Sequence, residues 1–192
     1  MDACPSQGAG LRFPETKFAS IASFLDNPDL CHLADQLLGT TTLLARTLLF
    51  DKNQNTNWHV PWHQDLQIAV EPKEISQDWS AASLKQGRNH AQPPLNIQMQ
   101  RIHLRFHLDP AGPQEGCLQV LPGSHKQGVF SSPRIPEFAN DRSPTFLSGA
   151  FATLWAFHPL LLHRSSRSKQ PNHKRRVLQL EFVTRQLKSQ QP

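Results

Sequence analysis

Apolar residues first recur along the chain at helical spacing. Phe18, Ile21, Ala22 and Leu25 fall on one side of a 3.6-residue wheel, and Leu30, Leu33, Leu37 and Leu38 form a second such stripe. The second run is also punctuated, with Asn27 as an N-cap, Pro28 in the first turn and Gly39 as a stop. After Gly39 the period changes. Residues 42–50, 66–70, 102–108, 117–121, 150–157 and 177–183 are short apolar or alternating runs, and turn-rich segments (PAGPQEG, PGSH, PNH) separate several of them. Two helices followed by many short strands predict a mainly β, α+β domain of jelly-roll type, its helices covering one sheet face.

Two stretches follow neither period. Residues 1–13 carry Pro, Gly and Ser without a repeat, and disorder is expected there. Residues 71–100 hold Glu71, Trp79, Lys85, Gly87 and the Pro93-Pro94 pair with little pattern. Loops of that length in a compact domain tend to be lids or binding loops, so a lid over a site is expected. The prediction is one domain over residues 1–192, with helices in 14–39 and a β core over 40–185.

Composition narrows the class. No stretch approaches the roughly 18 uninterrupted apolar residues that cross a bilayer. Residues 1–13 lack the basic start and apolar run of a secretory signal, so a cytoplasmic protein without a membrane partner is expected. The three cysteines, Cys4, Cys31 and Cys117, are odd in number and far apart, which argues against a disulfide framework or a zinc knuckle. The net charge of +5 is local: Arg164, Arg167, Lys169, Lys174, Arg175, Arg176, Arg185 and Lys188 crowd the C-terminal region against Glu181 alone. Nucleic-acid binding would call for interleaved exposed aromatics or a recognisable module, and neither accompanies this cluster. A solvated basic loop and tail around one functional arginine is expected instead.

The chemistry gathers at Trp62-His63-Gln64-Asp65. In an extended strand residues i and i+2 point the same way, so His63 and Asp65 can present an imidazole and a carboxylate to one point. A second imidazole would complete a facial triad with open metal positions, the ligand set of non-haem iron(II) oxygenases. His158 and His163, in FHPLLLHRS, are both candidates for it.

Three strings, NWHVPWHQD (57–65), GCLQVLPGSHKQG (116–128) and HRSSRSKQPNHKRRVLQLEF (163–182), resemble successive motifs of the phytanoyl-CoA dioxygenase family, in order and spread over most of the chain. The resemblance implies a double-stranded β-helix of cupin-like type and an oxygenase using iron(II), 2-oxoglutarate and dioxygen. In the family the distal metal histidine is followed two positions on by a serine and further on by an arginine in an R-x-(A/V)-(I/L) strand. His163 has Ser165 and Arg175-Arg176-Val177-Leu178 after it, whereas His158 has no such serine. The resemblance therefore implies His63, Asp65 and His163 as the catalytic metal ligands.

It also implies that Arg175 and Ser165 hold the far carboxylate of 2-oxoglutarate. A buried carboxylate needs a permanent fork-shaped cation, which guanidinium supplies. Arg176 competes for the role and shares parity with Leu178, Leu180 and Phe182; Arg175 shares the more polar row with Gln179 and Glu181, and the family pattern selects it.

Other residues carry weaker expectations. The run 101–108 alternates Arg101, His103, Arg105 and His107 with Ile102, Leu104, Phe106 and Leu108. Such a row is costly to bury without counter-charges, so it either faces solvent or lines a polar cavity. By its distance from Gly116, Arg105 falls where family members line the 2-oxoglutarate pocket. Trp58, His59 and Trp62 flank the metal motif and are candidate walls for the substrate, whereas Pro122-Gly123-Ser124-His125 reads as a structural turn. The expected activity is hydroxylation of a C–H bond in a small-molecule metabolite, with release of succinate and carbon dioxide. A catalytically degenerate metal-binding member and a zinc-dependent hydrolase are the alternatives.

Overall fold

The computed structural model describes residues 10–72, 75–170 and 174–185. In chain order it has β1 (Leu11–Arg12), a 3-10 turn at Pro14–Thr16, α1 (Ala19–Leu25), α2 (Pro28–Leu38), β2 (Thr42–Lys52), β3 (Val60–His63) and β4 (Ile68–Ala69). There follow β5 (Ser80–Lys85), β6 (Arg88–Gln92), α3 (Leu95–Gln98), β7 (Arg101–His107) and β8 (Leu118–Val120). The chain continues through α4 (Arg134–Asn140), β9 (Thr145–Leu147), β10 (Leu154–Phe157), β11 (His163–Ser165) and β12 (Arg175–Thr184).

The strands form a five-stranded sheet in the order β1-β2-β12-β7-β10, a four-stranded sheet β3-β11-β8-β9 and a three-stranded sheet β4-β6-β5. All pairings are antiparallel. The first two sheets wall a common cavity and make the double-stranded β-helix expected from the sequence.

The helices form where the pattern placed them. Asn27 Oδ1 accepts the Asp29 N–H at 3.0 Å, and Gly39 ends α2 at φ 69, a left-handed position that glycine takes without steric cost. Leu30 and Ala34 of α2 pack on Ile102 and Leu104 of β7 and on Leu178, Leu180 and Phe182 of β12. This apolar layer lies between the helices and the outer face of the five-stranded sheet. The same strands turn their other residues inward, so parity along β7 and β12 separates core from cavity.

Two expectations are corrected. Disorder does not extend through residue 13: Leu11 and Arg12 pair with Leu49 and Leu48 of β2, while residues 1–9 lie outside the described part. Residues 71–100 are not a structureless lid either. β5 and β6 make a hairpin whose turn residues, Gln86 and Gly87, have φ 48 and 75, as a two-residue primed turn requires. β6 also pairs with β4, and α3 follows. The polar, mostly exposed β5 carries no apolar alternation, which is why its period was invisible. Among the described residues no helix is long and apolar enough to cross a membrane.

Candidate metal centre

β3 and β11 lie side by side, with His63 directly opposite His163. The pairing brings the two rings to 4.1 Å between centroids. Asp65 stands just past the end of β3 rather than inside a continuous strand, and its N–H donates to the Pro159 carbonyl at 3.0 Å. Gln64 points the other way. Its amide donates to the Gly128 and Leu160 carbonyls at 2.8 and 2.7 Å and its oxygen accepts the Phe130 N–H at 2.8 Å, pinning the segment between the two ligand candidates. Asp65 carboxylate oxygens lie 3.8 Å from His63 Nε2 and 3.5 Å from His163 Nε2, and one ligand atom from each residue lies within 4.8 Å of the others.

The protonation pattern suits a cation. His63 Nδ1 donates to the Pro61 carbonyl at 2.9 Å and His163 Nδ1 to the Leu161 carbonyl at 2.7 Å. A carbonyl only accepts, so each Nδ1 carries a proton, and each Nε2 faces Asp65. Burial, then the charge of His163, holds His63 below the usual histidine range. Desolvation acts to raise Asp65, but the hydrogen bond from His163 and the charges of His163, His103 and His63 outweigh it and keep the carboxyl well below its ordinary value.

A cationic pocket adjoins the triad. A cavity of about 210 Å³ is lined by His63, Asp65 and His163 and also by Ser165, Arg175, Arg105 and Gln179. Arg175 opposes Lys52 across the β12–β2 pair, and both side chains are buried. Arg105 Nη1 donates to Gln179 Oε1 at 2.8 Å, while Arg105 Nε and Arg175 Nε have no partner. Among the described residues no carboxylate pairs with Lys52, Arg105 or Arg175. Burial followed by the Arg175 charge lowers Lys52 to about 7 and Arg105 to about 9, and burial lowers Arg175 to about 10. Unneutralised buried cations are expensive, and a bound anion relieves that cost. Arg176 leaves the cavity and grips Asp109 through Nε at 2.9 Å and Nη2 at 2.8 Å, which settles the two arginines' placement by strand parity.

A scan against family models matches residues 15–177 to phytanoyl-CoA dioxygenase (PhyH). The chain belongs to the PhyH family. Its members use iron(II), 2-oxoglutarate and dioxygen. A search of curated protein sequences finds no match. Solved structures agree on the fold. AviO1 from Streptomyces viridochromogenes Tue57 is 19% identical with a TM-score of 0.67, over 94% of this chain and 72% of that one. EctD from S. alaskensis, solved with 2-oxoglutarate and 5-hydroxyectoine, is 19% identical with a TM-score of 0.67, over 92% of this chain and 56% of that one. The carbocyclase SnoK from nogalamycin biosynthesis is 12% identical with a TM-score of 0.66, over 91% and 62%. The chain thus spans less than two thirds of EctD and of SnoK.

Within this PhyH fold the remaining candidates separate. Ser165 lines the cavity, but its hydroxyl donates to the Gly116 carbonyl at 3.0 Å and accepts from Lys52 Nζ at 2.7 Å. Gly116 is itself required: at φ 67, a Cβ there would stand 2.3 Å from the Ser166 carbonyl oxygen. Of the aromatic candidates only Trp58 lines the cavity. His59 is exposed, and Trp62 packs on Leu121, Phe130 and Leu162, with the Arg164 guanidinium over its ring. Alternation from the inward His63 sends Trp62 out, and a register shift between His63–His163 and Val60–Ser165 lets Val60 face inward as well. His158 stacks on His125, away from the triad. The Ser124 turn is structural: Ser124 Oγ accepts the Leu162 N–H at 2.8 Å, bracing the approach to β11.

Several site residues escaped the sequence reading. Glu181 meets Arg46 at 2.8 Å and Arg101 through Nε at 2.9 Å, and lies 3.7 Å from His103. His103 in turn lies 3.6 Å from Asp65, and its Nδ1 is 3.1 Å from the Gln179 amide. The basic row of β7 therefore faces inward, and Glu181 supplies its counter-charge at one end only. Lys52 gains a role only where β2 meets β12.

Proposed function

We propose that the chain is a non-haem iron(II)- and 2-oxoglutarate-dependent dioxygenase that hydroxylates a C–H bond of a small-molecule metabolite, releasing succinate and carbon dioxide. The observation that carries this reading is two imidazoles and one carboxylate with ligand atoms within 4.8 Å of one another, beside buried Lys52, Arg105 and Arg175, which pair with no carboxylate among the described residues. The donor set fits a divalent first-row metal of the facial-triad type. His63, Asp65 and His163 would hold the iron, which when bound supplies the oxidation chemistry.

The protein's own contributions follow from the contacts. Pro61 and Leu161 fix the imidazole tautomers, and Gln64 and the Pro159 carbonyl fix the segment that bears Asp65. Arg175 and Arg105, with Lys52 close behind Ser165, would seat the far carboxylate of 2-oxoglutarate. For Ser165 to donate to that carboxylate its hydroxyl must turn from the Gly116 carbonyl. Trp58 is the one of the three aromatic candidates placed to touch substrate. In the presence of iron(II), ascorbate and a metabolite panel, the protein should convert 2-oxoglutarate to succinate, and Asp65→Ala should abolish it. Full activity in that variant would remove Asp65 from the metal sphere.

A further inference from the structure

The walls of the cavity carry more positive charge than the co-substrate seat explains. Arg12, Arg46, Arg105 and Arg175 all line it, against the single carboxylate of Asp65 among the described residues. If iron and 2-oxoglutarate fill the site as proposed above, the dianion offsets the metal and leaves the arginine excess unanswered. Arg105 and Arg175 belong with Lys52. Arg12 and Arg46 do not.

Register places the two groups apart. Arg12 pairs with Leu48, Leu48 with Gln179 and Gln179 with Arg105, so Arg12 and Arg105 share one rung of the sheet, three strand spacings or about 14 Å from each other. Arg46 sits six positions along β2 from Lys52, so it stands about 20 Å from that end of the strand. Arg46 is buried, and although it meets Glu181, that carboxylate also serves Arg101. Arg46 Nε and Arg12 Nε are left without partners.

The β5–β6 hairpin adds a third cation. Gln86 at its tip accepts the Arg12 N–H at 2.9 Å, and the Arg88 guanidinium lies 4.0 Å over the Phe13 ring, so hairpin and β1 are fastened together. Lys85 reaches Gln67, two residues beyond Asp65. Burial, then the charges of Arg12 and Arg46, pull Lys85 below the ordinary lysine value. Among the described residues Arg12 and Lys85 make no ion pair and Arg46 shares Glu181 with Arg101, so the three cations are held ready for an anion.

We propose that Arg12 and Arg46, with Lys85 of the hairpin, form a second anion seat that binds a carboxylate or phosphate group of the primary substrate. The assignment of this seat to substrate rests on the co-substrate occupying the Lys52–Arg105–Arg175 pocket. The seat restricts substrates to anionic metabolites whose reacting carbon lies between the charged group and the metal triad.

The test is calorimetric titration of the full chain, anaerobic and loaded with iron(II) and saturating 2-oxoglutarate, using sulfate as a tetrahedral probe and acetate as a carboxylate probe. One anion site per chain should remain under these conditions. Arg12→Gln should weaken it tenfold or more and Lys85→Gln about threefold, Arg12→Lys should recover most of the loss, and the 2-oxoglutarate affinity of all three should stay within twofold of wild type. Lys85→Gln, on a half-buried side chain of the hairpin, keeps the test available if Arg12→Gln does not fold. No anion site under saturating 2-oxoglutarate, or wild-type binding in Arg12→Gln and Lys85→Gln, overturns the proposal. If both seats take sulfate and 2-oxoglutarate displaces neither, the second seat stands and the co-substrate reading falls instead.

Discussion

On its outer face the five-stranded sheet presents Ile102, Leu104, Leu178, Leu180 and Phe182 to the helices. One residue over along the same strands, its inner face carries His103, Arg105, Arg175, Gln179 and Glu181, of which Arg105, Arg175 and Gln179 line the cavity. The outer residues are buried against one another and need nothing more. The inner ones are as deeply buried but are polar or charged, and among the described residues no carboxylate answers the Lys52–Arg105–Arg175 side. One face stabilises the fold; the other lowers its stability in exchange for a ready anion site. Alternation lets a single strand do both, and substitutions on the two faces should therefore separate stability from binding.

The largest effect is expected on the outer face. Leu180→Ala removes a fully buried side chain and should cost about 2–5 kcal/mol by denaturant unfolding, with 2-oxoglutarate affinity unchanged in the protein that stays folded. A comparable loss of affinity would mean the faces are coupled. On the inner face, Arg175→Gln should weaken 2-oxoglutarate about 100-fold, roughly 2.7 kcal/mol, while thermal stability without ligand holds or rises because a buried cation has gone.

Lys52 sharpens the contrast through pH. Its value in the fold, about 7, lies below its ordinary 10.5. Between these values the unfolded chain binds a proton that the folded chain lacks, so ligand-free stability should rise with pH across that window and level off above it. An anion in the pocket restores the proton. At pH 8, 2-oxoglutarate binding should take up close to one proton, read by calorimetry in buffers of different ionisation heat, and Lys52→Met should abolish the uptake. The smallest effect belongs to Arg176→Gln. It breaks the partly exposed pair with Asp109 and should cost about 0.2–1 kcal/mol, leaving 2-oxoglutarate affinity as it was. A tenfold loss there would reverse the assignment of the two arginines.

Much of this was legible before the structure. Asn27, Gly39 and the leucine stripe gave α2 its limits, and the parity of Arg175 with Gln179 and Glu181 gave the cavity face of β12. His63 and Asp65 were legible from their i, i+2 spacing, and the motif resemblance selects His163 over His158, which no local pattern distinguishes. What escaped depends on contacts far apart in the chain. Lys52 needs β2 beside β12, Arg12 needs β1 beside β2, and Glu181 gains meaning only when Arg46, Arg101 and His103 converge on it. Trp62 was misplaced because nearness to His63 in sequence is not nearness in space: alternation along β3 puts neighbouring residues on opposite faces. The β5–β6 hairpin was missed because exposed strands have no apolar row to betray them.

Anaerobic absorption spectroscopy addresses the metal and co-substrate together. Iron(II) alone should give no visible band, and adding 2-oxoglutarate should give a weak charge-transfer band that saturates at one equivalent per chain and disappears in His163→Ala. Full iron loading without a band on adding 2-oxoglutarate, or the same band in His163→Ala, would contradict the account.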